Sequence, residues 1–188
     1  MRIIETGLDK IDKIYHIADV HVRNVKRHKE YQIVFKRLYS YIKKTKTKNS
    51  LIYVAGDIVH AKTDMSPELV GMVSNFFKSL SDLAPTIVIT GNHDCNLNNS
   101  YRLDALSPIV KALNHPNLHY LKDNGIYYIS GIHFNVLSVF DKPANYMKAD
   151  QFEGEYKIAL HHGSVHNAST DAGFTLSNTH VTTEMFKG

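Results

Sequence analysis

The sequence SLIYVAGDIVH, residues 50–60, joins a run of apolar and β-branched residues to a glycine, a carboxylate and an imidazole. A short run of this kind predicts a buried strand over 50–55. Gly56 allows close approach of the backbone where that strand ends, and Asp57 follows directly. Because open α/β sheets place their chemistry at strand ends, this stretch predicts an α/β fold with a functional group at Asp57.

Two further clusters repeat the arrangement. Asp19-Val20-His21 follows a strand-like run over 13–18, and Gly91-Asn92-His93-Asp94 follows another over 86–90. Carboxylate, imidazole and amide groups therefore recur where three predicted strands end.

The segments between these strands have helical periodicity. Apolar residues at helical spacing over 29–44 predict an amphipathic helix. Ser66-Pro67 is a helix-start signal ahead of a second apolar stripe, and a third helix is predicted over about 101–113. Strand and helix thus alternate, which argues for a parallel sheet covered by helices.

The pattern changes in the second half of the chain. Short strand-like runs follow one another without long helices between them, over 118–121, 125–130, 132–140 and 156–161. This half predicts a more antiparallel sheet, and residues 1–12 are interpreted as an irregular lead-in. We therefore expect one α/β domain over 1–188, with two facing mixed β-sheets flanked by helices.

Composition limits the class of protein. The 188 residues are 43% hydrophobic, which agrees with a folded globular domain. No apolar run approaches the length of a membrane span, and the N-terminus lacks the features of a signal peptide. We expect an intracellular protein, cytoplasmic or nuclear. Its formal charge of +4 permits a polyanionic partner without identifying one.

The three clusters together favour divalent metal binding. Asp19 and His21 are two residues apart at an extended strand end, so both side chains can point to one ion. Asp57 can bridge two ions with its two oxygens. A mixture of Asp oxygen, His nitrogen and Asn92 oxygen suits manganese, iron or zinc better than calcium. We expect two divalent ions, for which this donor set leaves manganese, iron and zinc as candidates.

Two histidines fit roles other than metal binding. His93 can protonate a leaving oxygen or stabilise charge in the transition state, with Asp94 orienting it by accepting its ring proton. His60 is interpreted as a group that supports the metal ligands or contacts a phosphate, and a turn-capping role is the alternative. A carboxylate that bridges two cations is the arrangement used in two-metal phosphoryl chemistry, in which His93 would assist the departing oxygen.

Taken in order, Asp-x-His, Gly-Asp-x-x-His and Gly-Asn-His-Asp resemble the motifs of the calcineurin-like metallophosphoesterase superfamily. A fourth element, Ala159-Leu160-His161-His162-Gly163, matches a metal-binding histidine that the family has at a later strand end. By position, the resemblance implies that His161 is this ligand, and His162 is the competing assignment.

Within the superfamily, the chain is similar to the DNA-repair nuclease branch, the Mre11/SbcD type, and especially to its viral and phage relatives. The features are the long helix after the first motif, Gly-Asp-Ile-Val-His, and Arg102-Leu103-Asp104-Ala105-Leu106. The branch implies manganese-dependent exonuclease and endonuclease action on DNA and a Rad50/SbcC-type ATPase partner, and a homodimer is a further expectation. The hypothesis is that a water molecule shared by the two ions attacks the phosphodiester. Basic residues after the first motif are candidates for phosphate contacts, or else the solvated start of a helix: Arg23, Lys26, Arg27 and Lys29.

The sequence departs from the family pattern in one respect. The family completes its site with Gly-His-x-His or Gly-Asp-x-His after one more strand, and the sequence ends at Gly188 without it. We interpret the chain as an N-terminal fragment that lacks the last strands and this motif. Two alternatives stay open: a phosphomonoesterase, protein phosphatase or cyclic-nucleotide phosphodiesterase of the same superfamily, and a catalytically degenerate scaffold.

Overall fold

The computed structural model describes residues 1–99, 101–177 and 179–187. Within these residues the strands and α-helices follow one another in this order: β1 (Arg2–Ile3), β2 (Lys13–Ile17), α1 (His28–Thr45), β3 (Ser50–Val54), α2 (Pro67–Leu83), β4 (Thr86–Val88), α3 (Ser107–Leu113), β5 (Leu118–Tyr120), β6 (Gly125–Ile129), β7 (Ile132–Leu137) and β8 (Tyr156–His161).

The strands form two four-stranded sheets. The first has the order β2-β3-β4-β5 and is parallel throughout, as the alternation of strands and helices predicts. The second has the order β1-β6-β7-β8 and is mixed, because only the β6–β7 hairpin is antiparallel. The predicted α/β fold with two sheets and flanking helices is therefore confirmed, although the second sheet is less antiparallel than expected.

The two faces of β3 show how the sequence builds the layers. Ile52 and Val54 pack in the core shared with the α-helices, whereas Leu51 and Tyr53 pack in the core between the sheets. This alternation follows from the two-residue period of a strand. Since both faces are covered, the strand is apolar throughout, which explains the run that predicts it.

Helix α1 begins and ends within one residue of its predicted limits, and α2 begins at its predicted start signal. Ser66 caps α2 by accepting the Leu69 N–H at 3.3 Å, and Pro67 fits the first turn. Phe35 on α1 packs against Phe76 on α2 with their ring centroids 4.5 Å apart. Both helices cover the outer face of the first sheet.

Two elements differ from the sequence expectation. Residues Arg2–Ile3 are a strand paired in parallel with β6 rather than part of an irregular lead-in. The third helix starts at Ser107 rather than near residue 101. Its start is fixed by Asp104, whose Oδ1 accepts the Leu106 and Ser107 N–H groups at 2.9 and 2.6 Å. Residues 101–103 therefore lie outside the helix.

The outer face of the second sheet is covered by short segments. Three single-turn 3₁₀ helices occur among the described residues, over Pro143–Asn145, Ala149–Gln151 and Thr183–Phe186. Tyr146 and Met185 pack there with Leu137 of β7. None of the described helices is both long and apolar enough to cross a membrane.

Asp104 is expected to be a large single contributor to stability outside the strand-end clusters. It is buried and also accepts hydrogen bonds from Lys122 Nζ at 2.7 Å and from the Tyr120 hydroxyl at 3.1 Å. Asp104→Ala should lower the free energy of unfolding by about 3–5 kcal/mol, because it leaves a partly buried cation and several hydrogen-bond donors without an acceptor. Asp82→Ala, which breaks an exposed pair with Lys78 and a hydrogen bond with His115, should cost about 1 kcal/mol or less. Urea denaturation measures both values.

The same carboxylate has a defined pH dependence. Burial pushes the pKa of Asp104 upward, but hydrogen bonds from Lys122 and Ser107 outweigh it and hold the pKa below its ordinary value. The resulting stabilisation is complete above the unfolded-state pKa of ~3.9 and is lost as the pH falls through the lower folded-state pKa. Asp104→Asn should therefore flatten the acid limb of the stability curve. An unchanged acid limb would contradict this assignment.

Candidate metal centre

Neighbouring parallel strands bring the three sequence clusters to one edge of the first sheet. Because β2, β3 and β4 are adjacent and parallel, their carboxyl ends lie side by side. The backbone continues this pairing past the strands: the His21 N–H donates to the Asp57 carbonyl at 2.9 Å, and the Val22 N–H donates to the Ile58 carbonyl at 2.8 Å. The first two clusters are thus fixed relative to each other by main-chain hydrogen bonds.

Three site residues have a left-handed backbone. The φ angles of Asp19, His21 and Asp57 are 53°, 47° and 53°. This region is uncommon for residues other than glycine and costs free energy, so it persists only where the surrounding structure enforces it. Such strain concentrates at functional sites, which is consistent with a role for these three side chains.

The Asp57 carboxylate lies at the centre of the site. Its Oδ2 is 3.4 Å from His21 Nε2, and Asp19 Oδ1 is 3.7 Å from the same nitrogen. Its Oδ1 is 3.3 Å from His162 Nε2, which in turn lies 3.1 Å from Asn92 Oδ1. The two oxygens of one buried carboxylate therefore face two different groups of potential ligand atoms.

The ring of His162 is oriented as metal-binding histidines commonly are. Its Nδ1 lies 2.7 Å from the Ala55 carbonyl, which can only accept, so Nδ1 carries a proton. In the neutral ring, Nε2 then presents a lone pair to Asp57 Oδ1 and Asn92 Oδ1. Three electron-rich atoms converge, and their mutual repulsion is relieved by a cation between them or by a second proton on the ring.

The side chain of His161 lies away from the Asp57 carboxylate. His161 is the last residue of β8, and its side chain lies on the outer face, with Nδ1 3.4 Å from the Leu137 carbonyl and the ring near Tyr146. Leu160 before it and His162 after it lie on the inner face, because side chains alternate along a strand. His161 is therefore not brought to Asp57, and the competing residue His162 is.

Three imidazoles form a second cluster beside Asp57. The ring of His93 is 4.8 Å from that of His21 and 5.7 Å from that of His60, centroid to centroid. One ligand atom from each ring lies within 4.8 Å of the others. Burial, followed by the charges of Arg23, His21 and His93, lowers the pKa of His60 below its ordinary value. His60 is therefore favoured in its neutral form.

Asp94 has a different position from the one predicted. Its Oδ1 accepts the Ile58 and Val59 N–H groups at 2.9 and 3.0 Å, and its Oδ2 accepts the Gly91 N–H at 2.9 Å. His93 Nδ1 instead lies 2.7 Å from the His60 carbonyl. Burial raises the pKa of the Asp94 carboxyl to about 6, against the effect of these N–H donors. The predicted orienting role thus belongs to the His60 carbonyl, and Asp94 joins two loops.

Two glycines permit the close approach of these loops. A Cβ at Gly56 would lie 2.5 Å from the Gly91 nitrogen, and a Cβ at Gly91 would overlap Asp57 Oδ1. Neither position has room for a methyl group. Close packing of the two loops therefore requires glycine at these positions of the second and third motifs, independently of any catalytic role.

Gly91→Ala is expected to disable the site more than the fold. The added methyl overlaps the Asp57 carboxylate and its backbone nitrogen, so Asp57 must move. We expect a loss of about 1–3 kcal/mol in unfolding free energy and a Mn²⁺ affinity reduced by at least tenfold. Calorimetric titration with Mn²⁺ measures the affinity, and Gly71→Ala, at a position with open space around it, is the matched control. Undiminished affinity in Gly91→Ala would contradict this interpretation.

The basic candidates after the first motif differ in their surroundings. Arg27 forms a salt bridge with Glu30 at the start of α1, so its charge is compensated. Arg23 and Lys26 are exposed, with no carboxylate within 4 Å among the residues that the structure describes. Sequence reasoning missed Lys62, whose Nζ donates to the Asn92 carbonyl at 3.1 Å. No motif marks Lys62, because only the fold brings it to this edge.

The residues present fit divalent cations. His21 Nδ1 and His60 Nδ1 are buried and have no hydrogen-bond partner among the described residues. Asp19, His21 and Asp57 offer ligand atoms that lie within 4.8 Å of one another. Carboxylate and amide oxygens combined with imidazole nitrogens suit first-row transition metals.

Comparisons with known proteins give three results. A family model described as calcineurin-like phosphoesterase matches residues 12–184. The chain is 45% identical, over 200 aligned positions, to an uncharacterized protein of Acanthamoeba polyphaga mimivirus; the match covers all of this chain and 15% of that protein's length. The crystal structure of Pseudomonas putida nuclease MPE matches with a TM-score of 0.44 and 17% identity, over 87% of this chain and 67% of that one.

Proposed function

Because the chain belongs to the calcineurin-like phosphoesterase family of metal-dependent hydrolases, we propose that it hydrolyses phosphodiester bonds in DNA at a dinuclear metal centre. The proposed ligands are Asp19, His21, Asp57, Asn92 and His162. Of these, His162 replaces His161 as the ligand at the end of β8.

The position of Asp57 carries the proposal. One of its oxygens faces His21 and Asp19, and the other faces His162 and Asn92. A carboxylate with ligand groups on both oxygens is suited to bridging two cations, the arrangement used in two-metal phosphoryl transfer. A single-ion site would need only one of these groups.

The proposed mechanism assigns separate tasks to the remaining side chains. When bound, divalent cations would lower the pKa of a water molecule and offset the negative charge of the phosphate. His93 is held through Nδ1 by the His60 carbonyl, which leaves its Nε2 to deliver a proton to the departing oxygen. His60, neutral and with Nδ1 unpartnered among the described residues, is proposed to hydrogen-bond a phosphate oxygen.

The choice of DNA as substrate rests on charge and on the motifs. The net charge is +4, and Arg23 lies close enough to His60 to lower its pKa. Arg23 and Lys62 thus add positive charge near the site, and the exposed Lys26 is a further candidate for phosphate contact. Such residues supply most sequence-independent affinity for DNA. Manganese is the proposed metal, with Fe or Zn as alternatives. The repair role, the homodimer and a Rad50/SbcC-type ATPase partner stay predictions from the motif resemblance.

A substrate panel tests the proposal. The chain is stripped with EDTA, reloaded with Mn²⁺, Fe²⁺ or Zn²⁺, and assayed on linear DNA, a p-nitrophenyl phosphodiester and a p-nitrophenyl phosphomonoester. We expect metal-dependent cleavage of DNA and of the diester, with little monoester hydrolysis. Asp57→Asn should abolish cleavage, and the remote Asp82→Asn should not.

Two outcomes would overturn the proposal. Hydrolysis of the monoester alone would assign the site to the phosphomonoesterase class. Two bound metal ions per chain without hydrolysis of any substrate would indicate the scaffold alternative instead.

A further inference from the structure

A loop leaves the candidate metal centre and returns to it. We call residues 96–99 and 101–103 the 96–103 loop; it follows directly on Asp94 and Cys95. The chain comes back at Ala105, whose N–H donates to the Asp94 carbonyl at 2.8 Å. Both ends are anchored, because Cys95 and Asp104 are buried. The loop therefore projects from the edge of the sheet that carries the site.

The side chains of this loop are unusually apolar for their exposure. Tyr101 is 100% exposed, Leu103 is 76% exposed and Leu97 is 54% exposed. These side chains do not contribute to core packing, since they belong to neither of the two large hydrophobic cores. Clustered apolar groups that remain in water, so close to a site, indicate an interaction surface.

The charge of the loop identifies the kind of partner. Arg102 is its charged residue, and asparagine amides at 96, 98 and 99 supply neutral hydrogen-bonding groups. The adjacent Asp104 is buried and paired with Lys122, so it presents no negative charge to a ligand. An exposed aromatic ring next to a guanidinium matches an unpaired nucleobase next to its phosphate, the combination found on platforms for single-stranded nucleic acid.

We propose that Tyr101 stacks on an unpaired base of a DNA substrate while Arg102 contacts the adjoining phosphate, which makes this loop a specificity element for single-stranded DNA. The inference rests on the proposed function of the metal centre. Tyr101 is four residues from Ala105, so its Cα lies within about 14 Å of that anchor.

The test compares two oligonucleotides that differ only in their bases. One is a fluorescent single strand, and the other has the same length and backbone with abasic residues in place of nucleotides. Binding is measured by anisotropy with Ca²⁺ in place of Mn²⁺ to prevent cleavage. We expect the wild-type chain to bind the base-containing strand roughly tenfold more tightly, the effect of about one stacked base.

Variants assign this preference to one ring. Tyr101→Ala should remove the preference, Tyr101→Phe and Tyr101→Trp should retain it, and binding of the abasic strand should be unchanged in all three. Tyr41→Ala is the matched control, because Tyr41 is also exposed but lies near the far end of α1. Retention of the full preference in Tyr101→Ala overturns the inference.

The outcome is separable from that of the proposed function. Failure of every metal-loaded sample to cleave DNA counts against the metal centre, whereas the binding preference is measured without turnover. Should Tyr101→Ala instead convert a dimer to a monomer in sedimentation while the base preference persists, the loop is a protein contact and the inference is wrong.

Discussion

Replacing His162 by Ala should weaken Mn²⁺ binding by at least ~10–100-fold and reduce DNA cleavage by a similar or larger factor. Loss of an outer partner of a metal ligand already costs that much affinity, and here the ligand itself is removed. The lone pair of Nε2 faces Asp57 and Asn92, and among the described residues no other imidazole lies within hydrogen-bonding distance of Asn92 Oδ1. Calorimetric titration and metal analysis of the reloaded protein measure the change.

His161→Ala is the matched control for this prediction. The two histidines are adjacent, yet His161 lies on the outer face beside Leu137 and Tyr146. Burial lowers the pKa of His161, so its removal takes away an uncharged ring and should leave metal affinity within about twofold. If His161→Ala loses the metal and His162→Ala keeps it, the structural assignment of this ligand is wrong and the positional one is right.

The sequence contains a signal that separates these two histidines. Ile158 and Leu160 are apolar and face the other sheet. A residue two positions further lies on the same face, so the strand period alone points to His162. Assignment by position within a motif does not consider which face of the strand a residue occupies. Two adjacent histidines lie on opposite faces, so for them the face decides which one is the candidate ligand.

Most of the candidate metal centre could be predicted because its residues lie in short segments that each directly follow a strand. Each cluster directly follows an apolar strand, and parallel strands share an edge. The gathering of Asp19, Asp57 and Asn92 therefore follows from strand prediction and the parallel arrangement alone. Both long helices were predictable for a similar reason, since their apolar stripes and the Ser66-Pro67 start signal are local features.

The remaining features depend on contacts between distant segments. The three N–H groups that donate to Asp94 come from two loops, and Gly56 and Gly91 allow these loops to approach each other. No rule of sequence spacing predicts which carboxylate accepts these three hydrogen bonds. Lys62 and the pairing of β1 with β6 are similar cases. A two-residue strand gains its stability from the sheet that it joins, so its own sequence carries little signal.

His93→Ala should lower the rate of DNA cleavage by about 10²–10⁴-fold and leave metal content unchanged. This is the usual loss when a general acid is removed. The His93 ring does not belong to either group of atoms that faces the Asp57 oxygens, whereas its backbone N–H donates to Asp57 Oδ1 at 2.8 Å and survives the substitution. Single-turnover cleavage and metal analysis of the same samples measure the two effects.

The leaving group shows whether proton donation is the reason for the loss. An alkoxide that departs from DNA needs a proton, whereas p-nitrophenolate is stable without one. His93→Ala should therefore be at least ~10-fold less damaging on the p-nitrophenyl diester than on DNA. His115→Ala, which removes a remote histidine paired with Asp82, should affect neither substrate. Equal losses on both substrates would exclude His93 as the general acid, and loss of bound metal would make it a ligand.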